Sequence, residues 1–197
     1  MTQITDITYE RLVREDAKVV RLTCAETAKL VRAALKAAFP GVTFSVKSKT
    51  YSGGASITVG WTDGPTTQEV EQVSKRFEGA DFDGMIDLKS YKKPTAIDGQ
   101  LIHFGADFVF SDRDLSYDLL LECAEAIANQ YGVQAPEVRR KTYHYRNGKS
   151  VESVWIERGG EPLDKYADGP VANYSSTAAD KALQLAYKTS KYQRPGE

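Results

Sequence analysis

Hydrophobic and polar residues alternate along two neighbouring segments of the chain, 42–47 and 55–61. The hydrophobic positions are Val42, Phe44 and Val46 in the first segment and Ala55, Ile57, Val59 and Trp61 in the second. A period of two is typical of strands that bury one face. Residues 51–54 between the segments include two glycines, and glycine adopts a positive φ without steric cost. The pattern predicts a β-hairpin.

A helix is predicted on each side of this hairpin. Thr23 with Glu26, and Thr66 with Glu69, match the capping-box pattern that marks the start of a helix. Hydrophobic residues follow each box at helical spacing: Ala28, Val31, Ala34, Leu35 and Ala38 after the first, and Val70, Val73 and Phe77 after the second. We therefore predict helices over 23–38 and 66–77.

The chain between residues 80 and 131 predicts two further strands and a helix. Met85, Ile86 and Leu88 indicate an irregular approach to a third strand. Residues 101–110 predict a fourth strand with Gly105 as a bulge, and its core-facing positions would be Ile102, Phe104, Ala106, Phe108 and Phe110. A cap between 111 and 116 would start a helix whose buried stripe is Leu120, Cys123, Ala124, Ile127 and Tyr131.

Together these elements predict an α+β fold. Their order is α-β-β-α-β-β-α, and one antiparallel sheet with helices packed on one face would bury every hydrophobic stripe. A β-hairpin and a C-terminal helix follow. The predicted division is an N-terminal arm over 1–22, an α+β core domain over 23–132, and a C-terminal hairpin, loop and helix over 133–197.

The C-terminal hairpin carries the candidate binding residues. Asn147-Gly148 is the preferred pair for a two-residue type I′ turn, and such a turn places Arg140 opposite Trp155. Basic side chains neutralise phosphates, and aromatic ones stack on bases or anchor a protein partner. The alternative is that the aromatic residues pack on the core and the charges are only solvated. The candidate partner-binding or nucleic-acid-binding residues are Arg139, Arg140, Lys141, His144, Arg146, Lys149 and Trp155.

Composition narrows the function classes. The 197 residues include 26 basic and 27 acidic side chains, which gives a net charge of −1. This balance argues against a strongly basic nucleic-acid binder and against an acidic mimic of DNA, so only a local patch could bind nucleic acid. Cys24 and Cys123 are too few for a disulfide framework, which indicates a reducing compartment.

The sequence predicts no membrane segment. No hydrophobic run approaches the roughly 18 residues that a membrane span needs. The N-terminal residues lack the hydrophobic core of a signal peptide. We therefore expect a soluble cytoplasmic protein that does not bind a membrane, and its oligomeric state stays open.

Motifs for metals and nucleotides are incomplete. Asp81, Asp83 and Asp87 resemble a fragment of a calcium loop, but the glycine falls too early, and a polar turn before a strand is the simpler interpretation. The two histidines and two cysteines show no zinc-ligand spacing. The glycine-containing turns match no phosphate-binding motif. We expect no metal and no cofactor.

Two residues remain as candidates for catalysis. His103 with Asp107 or Asp112 could form an acid-base pair, although a surface or core histidine is favoured. Cys24 lies in the first helical turn, where the helix dipole lowers a thiol pKa, but no base partner is visible in the sequence. A buried, unreactive thiol is the favoured interpretation, and we expect no enzymatic activity.

The segments YSGGASITVGWTDGPT (51–66), RFEG (76–79) and FDGMIDL (82–88) resemble the large polyvalent protein-associated domains of phages and conjugative elements. The resemblance extends from about residue 23 to about residue 132 and does not cover the C-terminal region. It implies that the protein travels with mobile elements and protects or assists incoming DNA. It implies no catalytic residues.

Three functions follow as hypotheses. The first is a non-enzymatic accessory protein, in the cytoplasm of a bacterial host, that binds and blocks a host defence complex of the CRISPR or restriction type, as an anti-CRISPR protein does. The second is a small DNA- or RNA-binding module that uses the basic-aromatic hairpin. The third and weakest is an enzyme that uses His103 with nearby carboxylates.

Overall fold

The computed structural model describes residues 13, 18–130, 137–144, 150–158, 161–162 and 178–193. Over 138–144, 150–158, 161–162 and 178–180 the description is of the backbone. The described residues form two compact units. The first ends at Arg113 and also includes Tyr192, and the second runs from Asp114 to Lys191.

The elements of the first unit are, in chain order, β1 (Val19–Arg21), α1 (Cys24–Ala38), β2 (Ser45–Tyr51), β3 (Gly54–Thr62), α2 (Thr67–Ser74), a 3-10 turn (Lys75–Phe77), β4 (Ala80–Asp83), β5 (Leu88–Tyr91), β6 (Thr95–Ile97), β7 (Gln100–His103) and β8 (Phe108–Asp114). Those of the second unit are α3 (Tyr117–Gln130), β9 (Glu137–His144), β10 (Ser150–Arg158), β11 (Glu161–Pro162) and α4 (Ala178–Lys188). In the part of the chain that the structure describes, no helix is long and apolar enough to cross a membrane.

The predicted central hairpin is confirmed. β2 and β3 pair in antiparallel register from Ser45 opposite Gly60 to Tyr51 opposite Gly54. Gly53 in the turn has a φ of 88°, a backbone conformation that glycine adopts without strain. The alternation is as predicted in β3, where the core-facing positions are Ala55, Ile57, Val59 and Trp61.

Both predicted helix starts are confirmed, because each capping box is complete. The Thr23 hydroxyl accepts a hydrogen bond from the Glu26 amide, and the Thr66 hydroxyl accepts one from the Glu69 amide. α1 packs against β2 and β3 through its predicted stripe. The shared core of the first unit includes Ala28, Val31, Leu35, Val46, Ile57, Val59, Val70, Phe77 and Val109.

The prediction of one strand over 101–110 is wrong. The segment forms β7 and β8, which belong to different sheets, and residues 104–107 connect them. A Cβ atom on Gly105 would lie 2.1 Å from the carbonyl oxygen of Leu22, so only glycine fits there. The break also changes the alternation: Val109 is buried, whereas Phe110 is 54% exposed.

The α+β class is confirmed, but the described strands form several small, mostly antiparallel sheets instead of the predicted single sheet, and the exact element order is not confirmed. The described strands form small sheets ordered β1-β7-β6, β2-β3-β8, β4-β5 and, in the second unit, β11-β10-β9. β1 runs parallel to β7. Between α2 and α3 there are five short strands instead of two. Turns at Asp87, Asp98 and Gly99, all with positive φ, interrupt the chain there.

The second unit buries one face of α3 against α4. The Ser116 hydroxyl accepts a hydrogen bond from the Leu119 amide at 3.1 Å, which makes Ser116 the predicted cap. The buried residues are Leu115, Leu119, Leu120, Cys123, Ala124, Ile127, Ala128, Ala182 and Ala186. The predicted domain boundaries at residues 22 and 132 stay a prediction.

The predicted register of the C-terminal hairpin is wrong by one residue. β9 and β10 do pair in antiparallel register, but Trp155 is opposite Arg139, and Arg140 is opposite Val154. A two-residue turn at 147–148 requires the other register. A shift by one residue exchanges all cross-strand neighbours, so the predicted pairing of Arg140 with Trp155 does not occur. The turn itself lies outside the described residues.

We expect Gly105→Ala to lower the free energy of unfolding by at least about 2 kcal/mol, because the added methyl group would clash with backbone atoms near the start of α1. Gly84→Ala is the matched control. Its Cβ would lie 3.8 Å from the Phe82 ring, and we expect a change within about 0.5 kcal/mol. Urea unfolding followed by tryptophan fluorescence measures both. Equal stability of the two variants would contradict the close approach at Gly105.

Candidate functional site

The first unit carries a hairpin with several exposed hydrophobic side chains. β4 and β5 pair in antiparallel register, with Ala80 opposite Tyr91. Met85 in their connection is 96% exposed, and the adjacent Ile86 is 66% exposed. We call residues 80–91 the apolar hairpin, and its exposed hydrophobic side chains are Phe82, Met85, Ile86, Leu88 and Tyr91.

Two aspartates shape the tip of the apolar hairpin. The Asp83 carboxylate accepts a hydrogen bond from the Met85 amide at 2.9 Å, which is the local bond of an Asx turn. Asp87 has a φ of 50°, a conformation that aspartate tolerates better than most residues. The polar residues therefore fix the backbone. As predicted, the segment is an irregular approach to a strand, since a turn over 84–87 leads into β5. Its hydrophobic side chains are exposed, and adjacent Met85 and Ile86 inside a turn are a signal of that exposure.

Lys89 attaches the apolar hairpin to the central hairpin. Its ammonium group donates hydrogen bonds to the carbonyl oxygen of Gly53 at 2.7 Å and to the carboxylate of Asp107 at 3.2 Å. The same Asp107 oxygen accepts the amide of Ala55 at 3.1 Å. A hydrogen bond to the Tyr91 side chain, and then the one to Asp107, raise the pKa of Lys89. The cation therefore persists throughout the neutral range, and the attachment weakens only when the pH rises through this raised pKa.

A second lysine holds the base of the apolar hairpin. The Lys92 ammonium lies 3.7 Å from the Glu78 carboxylate and 3.2 Å from that of Asp81. The Lys92 amide donates to the carbonyl oxygen of Gly79 at 2.9 Å. The bonds of Lys92 join the two ends of the apolar hairpin, and those of Lys89 join β5 to Gly53 and Asp107, so that the exposed tip is carried on a constrained base.

The predicted basic-aromatic residues lie in the second unit. Arg139, Arg140, Lys141 and His144 are on β9, and Trp155 is on β10. The structure describes the backbone there and not the side chains, while Arg146 and Lys149 lie outside the described residues. The pairing brings Trp155 next to Arg139. Their role in binding a partner or nucleic acid stays a prediction.

Three of the metal and acid-base candidates, Asp81, Asp83 and Asp107, make structural bonds. Asp83 holds the hairpin turn, and Asp81 pairs with Lys92. Among the residues that the structure describes, no group of three His, Cys, Asp or Glu side chains could hold a metal ion. Asp107 binds Lys89 and Ala55. A catalytic role for His103, whose ring centroid lies 6.3 Å from that of Tyr91, stays a prediction.

The Cys24 thiol is buried between α1 and β3. Its sulfur donates to the carbonyl oxygen of Ser56 at 3.5 Å, and the residue is 8% exposed. Burial raises the pKa of this thiol above its usual value. The position at a helix start therefore does not produce a reactive thiolate.

We expect neither Cys24 nor Cys123 to react with a thiol reagent in the native protein, because both are buried and the pKa of Cys24 is raised. Titration with a chromogenic disulfide at pH 8 should release colour only after denaturant is added. Rapid reaction of one thiol in the native protein would contradict the buried environment.

We expect Lys89→Met to increase amide hydrogen exchange in β4 and β5, because it removes the bonds to Gly53 and Asp107. Lys93→Met is the control, since Lys93 is exposed on the same segment. Hydrogen exchange measured by mass spectrometry compares the two. If both variants exchanged like the wild-type protein, the attachment through Lys89 would be unimportant.

Comparison with known families places this part of the chain. The family model described as large polyvalent protein associated domain 29 matches residues 22–116, which extend from α1 to the end of β8 and include the apolar hairpin. No curated protein and no solved structure matches the chain. The resemblance predicted from the sequence is thereby confirmed. Over residues 22–116, the chain is similar to the large polyvalent protein associated domains, which are associated with polyvalent proteins of mobile elements.

Proposed function

We propose that this protein is a non-enzymatic accessory factor of a mobile element that binds a host defence complex of the CRISPR or restriction type and blocks it sterically. The single observation that carries the proposal is the apolar hairpin. Its tip residue Met85 is 96% exposed, and four more hydrophobic side chains of the same hairpin are exposed beside it.

Clustered hydrophobic side chains in solvent favour a protein partner. Monomeric proteins rarely expose a contiguous hydrophobic patch without a use for it. Methionine and aromatic residues are enriched in the cores of protein interfaces. Here the hydrophobic residues are bordered by charged ones, among them Asp83, Asp87 and Lys93, which corresponds to a core with a polar rim.

The constrained base of the hairpin supports tight binding. Lys89 joins β5 to Gly53 and Asp107, and Lys92, directly after β5, pairs with the carboxylates of Glu78 and Asp81. A surface that is ordered before association loses less conformational entropy on binding. The apolar hairpin can therefore bind as a preformed surface and does not need to fold on its partner.

The association with mobile elements suggests the kind of partner. Such elements enter cells that attack foreign DNA, so a factor that binds a defence complex would assist them, an argument by association. The sequence carries no complete catalytic motif. Occupation of a functional surface is therefore the mechanism that we propose.

We expect the purified protein to inhibit at least one member of a panel of CRISPR and restriction nucleases by stoichiometric binding. With the nuclease far above the dissociation constant, DNA cleavage should fall linearly and reach zero near one chain per complex. Complete inactivation at a small fraction of that ratio would show turnover and would overturn the non-enzymatic mechanism. If every nuclease in the panel cleaved DNA at its normal rate, the proposal that the protein blocks a CRISPR or restriction complex would be wrong.

The double variant Met85→Asp/Ile86→Asp should inhibit at least about 100-fold more weakly, because binding would bury two carboxylates in a hydrophobic contact. Tyr117→Asp is the control: it adds a carboxylate at another exposed hydrophobic position, the first residue of α3. Inhibition titrations with the same nuclease measure both variants. Undiminished inhibition by the double variant would exclude the apolar hairpin as the binding surface.

A further inference from the structure

The sheet formed by β2, β3 and β8 has one buried and one open face. Its buried face contributes Val46, Ile57, Val59 and Val109 to the core beneath α1. Because side chains alternate along a strand, the neighbouring positions lie on the opposite side. We call that side the open face, and its residues include Lys47 and Lys49 on β2, Ser56 and Thr58 on β3, and Phe108 and Phe110 on β8.

Two contacts set the order of residues across the open face. The Asp107 amide donates to the carbonyl oxygen of Ala55, and the Asp112 carbonyl oxygen lies 3.7 Å from the position of a Cβ on Gly60. From the first contact to the second, the residue number rises on both strands, from Ala55 to Gly60 and from Asp107 to Asp112. β8 therefore runs parallel to β3. Phe108 therefore lies level with Ser56, and Phe110 lies level with Thr58.

The β2 register completes two rows across the sheet. Lys49 is opposite Ser56, and Lys47 is opposite Thr58. Each row thus runs from a lysine through a small hydroxyl residue to a phenylalanine. Neighbouring strands are about 4.8 Å apart, which places the backbone of each lysine about 10 Å from that of its phenylalanine.

The aromatic residues of the open face are exposed in whole or in part. Phe110 is 54% exposed, and its ring centroid lies 6.2 Å from that of the half-buried Phe108. Tyr51, at the end of β2, is 46% exposed and packs across Gly54. Lys47 and Lys49 are also exposed. Between them and the rings stand the exposed Thr58 and the small Ser56, which is 9% exposed. The open face thus has rings on one side and cations on the other.

We propose that the open face binds single-stranded nucleic acid, with bases stacked on Phe108 and Phe110 and phosphates neutralised by Lys47 and Lys49. This activity goes beyond the proposed inhibition, and it uses a different surface and a different class of ligand. Stacking on exposed aromatic rings is the usual way in which single strands are bound without sequence preference. Lysines set beside the rings supply the complementary charge.

The geometry favours a single strand over a duplex. Bases stacked within a duplex strand are about 3.4 Å apart, whereas the rings of Phe108 and Phe110 are 6.2 Å apart and tilted by 42°. Two successive bases can each meet a ring only if they are unstacked from each other. A single strand permits this, and a duplex does not.

The end of the open face limits the site. Asp112 lies level with Gly60, one row beyond Phe110, and its carboxylate is exposed. Like charge repels a phosphate there. We therefore expect the nucleic-acid strand to lie along the two rows that carry lysines and at the Tyr51 end of the open face, and not at the Asp112 end.

Fluorescence anisotropy of a labelled oligothymidylate of about 12 nucleotides tests the proposal with the full chain. We expect saturable binding at low salt and at least about tenfold weaker binding of a duplex of equal length. Phe110→Ser should weaken binding at least about fivefold, because one base can no longer stack. Lys47→Gln/Lys49→Gln should also weaken binding and reduce the slope of log affinity against log salt by about 0.7 for each phosphate that is no longer neutralised.

Lys29→Gln/Lys36→Gln is the matched control, because it removes the same charge from exposed positions of α1. It should bind like the wild-type chain, and circular dichroism confirms that each variant is folded. The proposal is overturned if the wild-type chain does not bind. It is also overturned if the Phe110 and lysine variants bind as tightly as the wild-type chain. Loss of binding only in Arg140→Glu/Arg146→Glu/Lys149→Glu would also overturn it and assign the nucleic acid to the C-terminal hairpin.

A last comparison separates nucleic acid from a protein ligand at the open face. If oligothymidylate does not bind, and Phe110→Ser weakens inhibition of a defence nuclease, the open face is a protein contact and the proposal fails. If oligothymidylate binds and Met85→Asp/Ile86→Asp leaves that affinity unchanged, the two surfaces act independently. Nucleic-acid binding by the open face then stands whether or not inhibition is found.

Discussion

The structure of the first unit depends on the short connection between β7 and β8. The Asp107 amide donates to the carbonyl oxygen of Ala55 at 2.8 Å, and the Ala55 amide donates to the Asp107 carboxylate at 3.1 Å. Two residues earlier, the Gly105 amide donates to the Thr27 hydroxyl at 3.0 Å. These bonds tie the connection to β3 and to α1 at once. They act together with the pairing of β3 and β8 in one sheet to fix the position of β8.

Both proposed binding surfaces follow from this connection. It sets the alternation of β8, so that Val109 enters the core and Phe110 stays in solvent. It also places the Asp107 carboxylate where Lys89 reaches it from β5. Burial of the Asp107 carboxylate is costly without a partner of opposite charge, which Lys89 supplies. The same ion pair orients the apolar hairpin, because Lys89 lies on β5. The connection between β7 and β8 therefore both exposes the aromatic residues of the open face and holds the apolar hairpin in place.

The candidate sites differ in how far the sequence predicted them. The hydrophobic residues of the apolar hairpin were recognised as an irregular approach to a third strand, but their exposure was not predicted. Their exposure depends on the tight turn between Asp83 and Asp87, where no neighbouring element covers Met85. The open face was missed because one glycine changed the alternation of residues 101–110. The basic hairpin was predicted from the Asn147-Gly148 pair, and its register was wrong by one residue because that pair was taken as a two-residue turn.

The sequence alone determined the local elements of this protein: two capping boxes, the hairpin turn at Gly53, the helical stripes and the α+β class. Each depends on residues close together in the chain, where spacing specifies the geometry. Only the tertiary structure decided how the strands are distributed among sheets, and which side of β8 is buried. Those outcomes depend on contacts between distant residues, such as Gly105 against Leu22 and Asp107 with Ala55, which no local pattern contains.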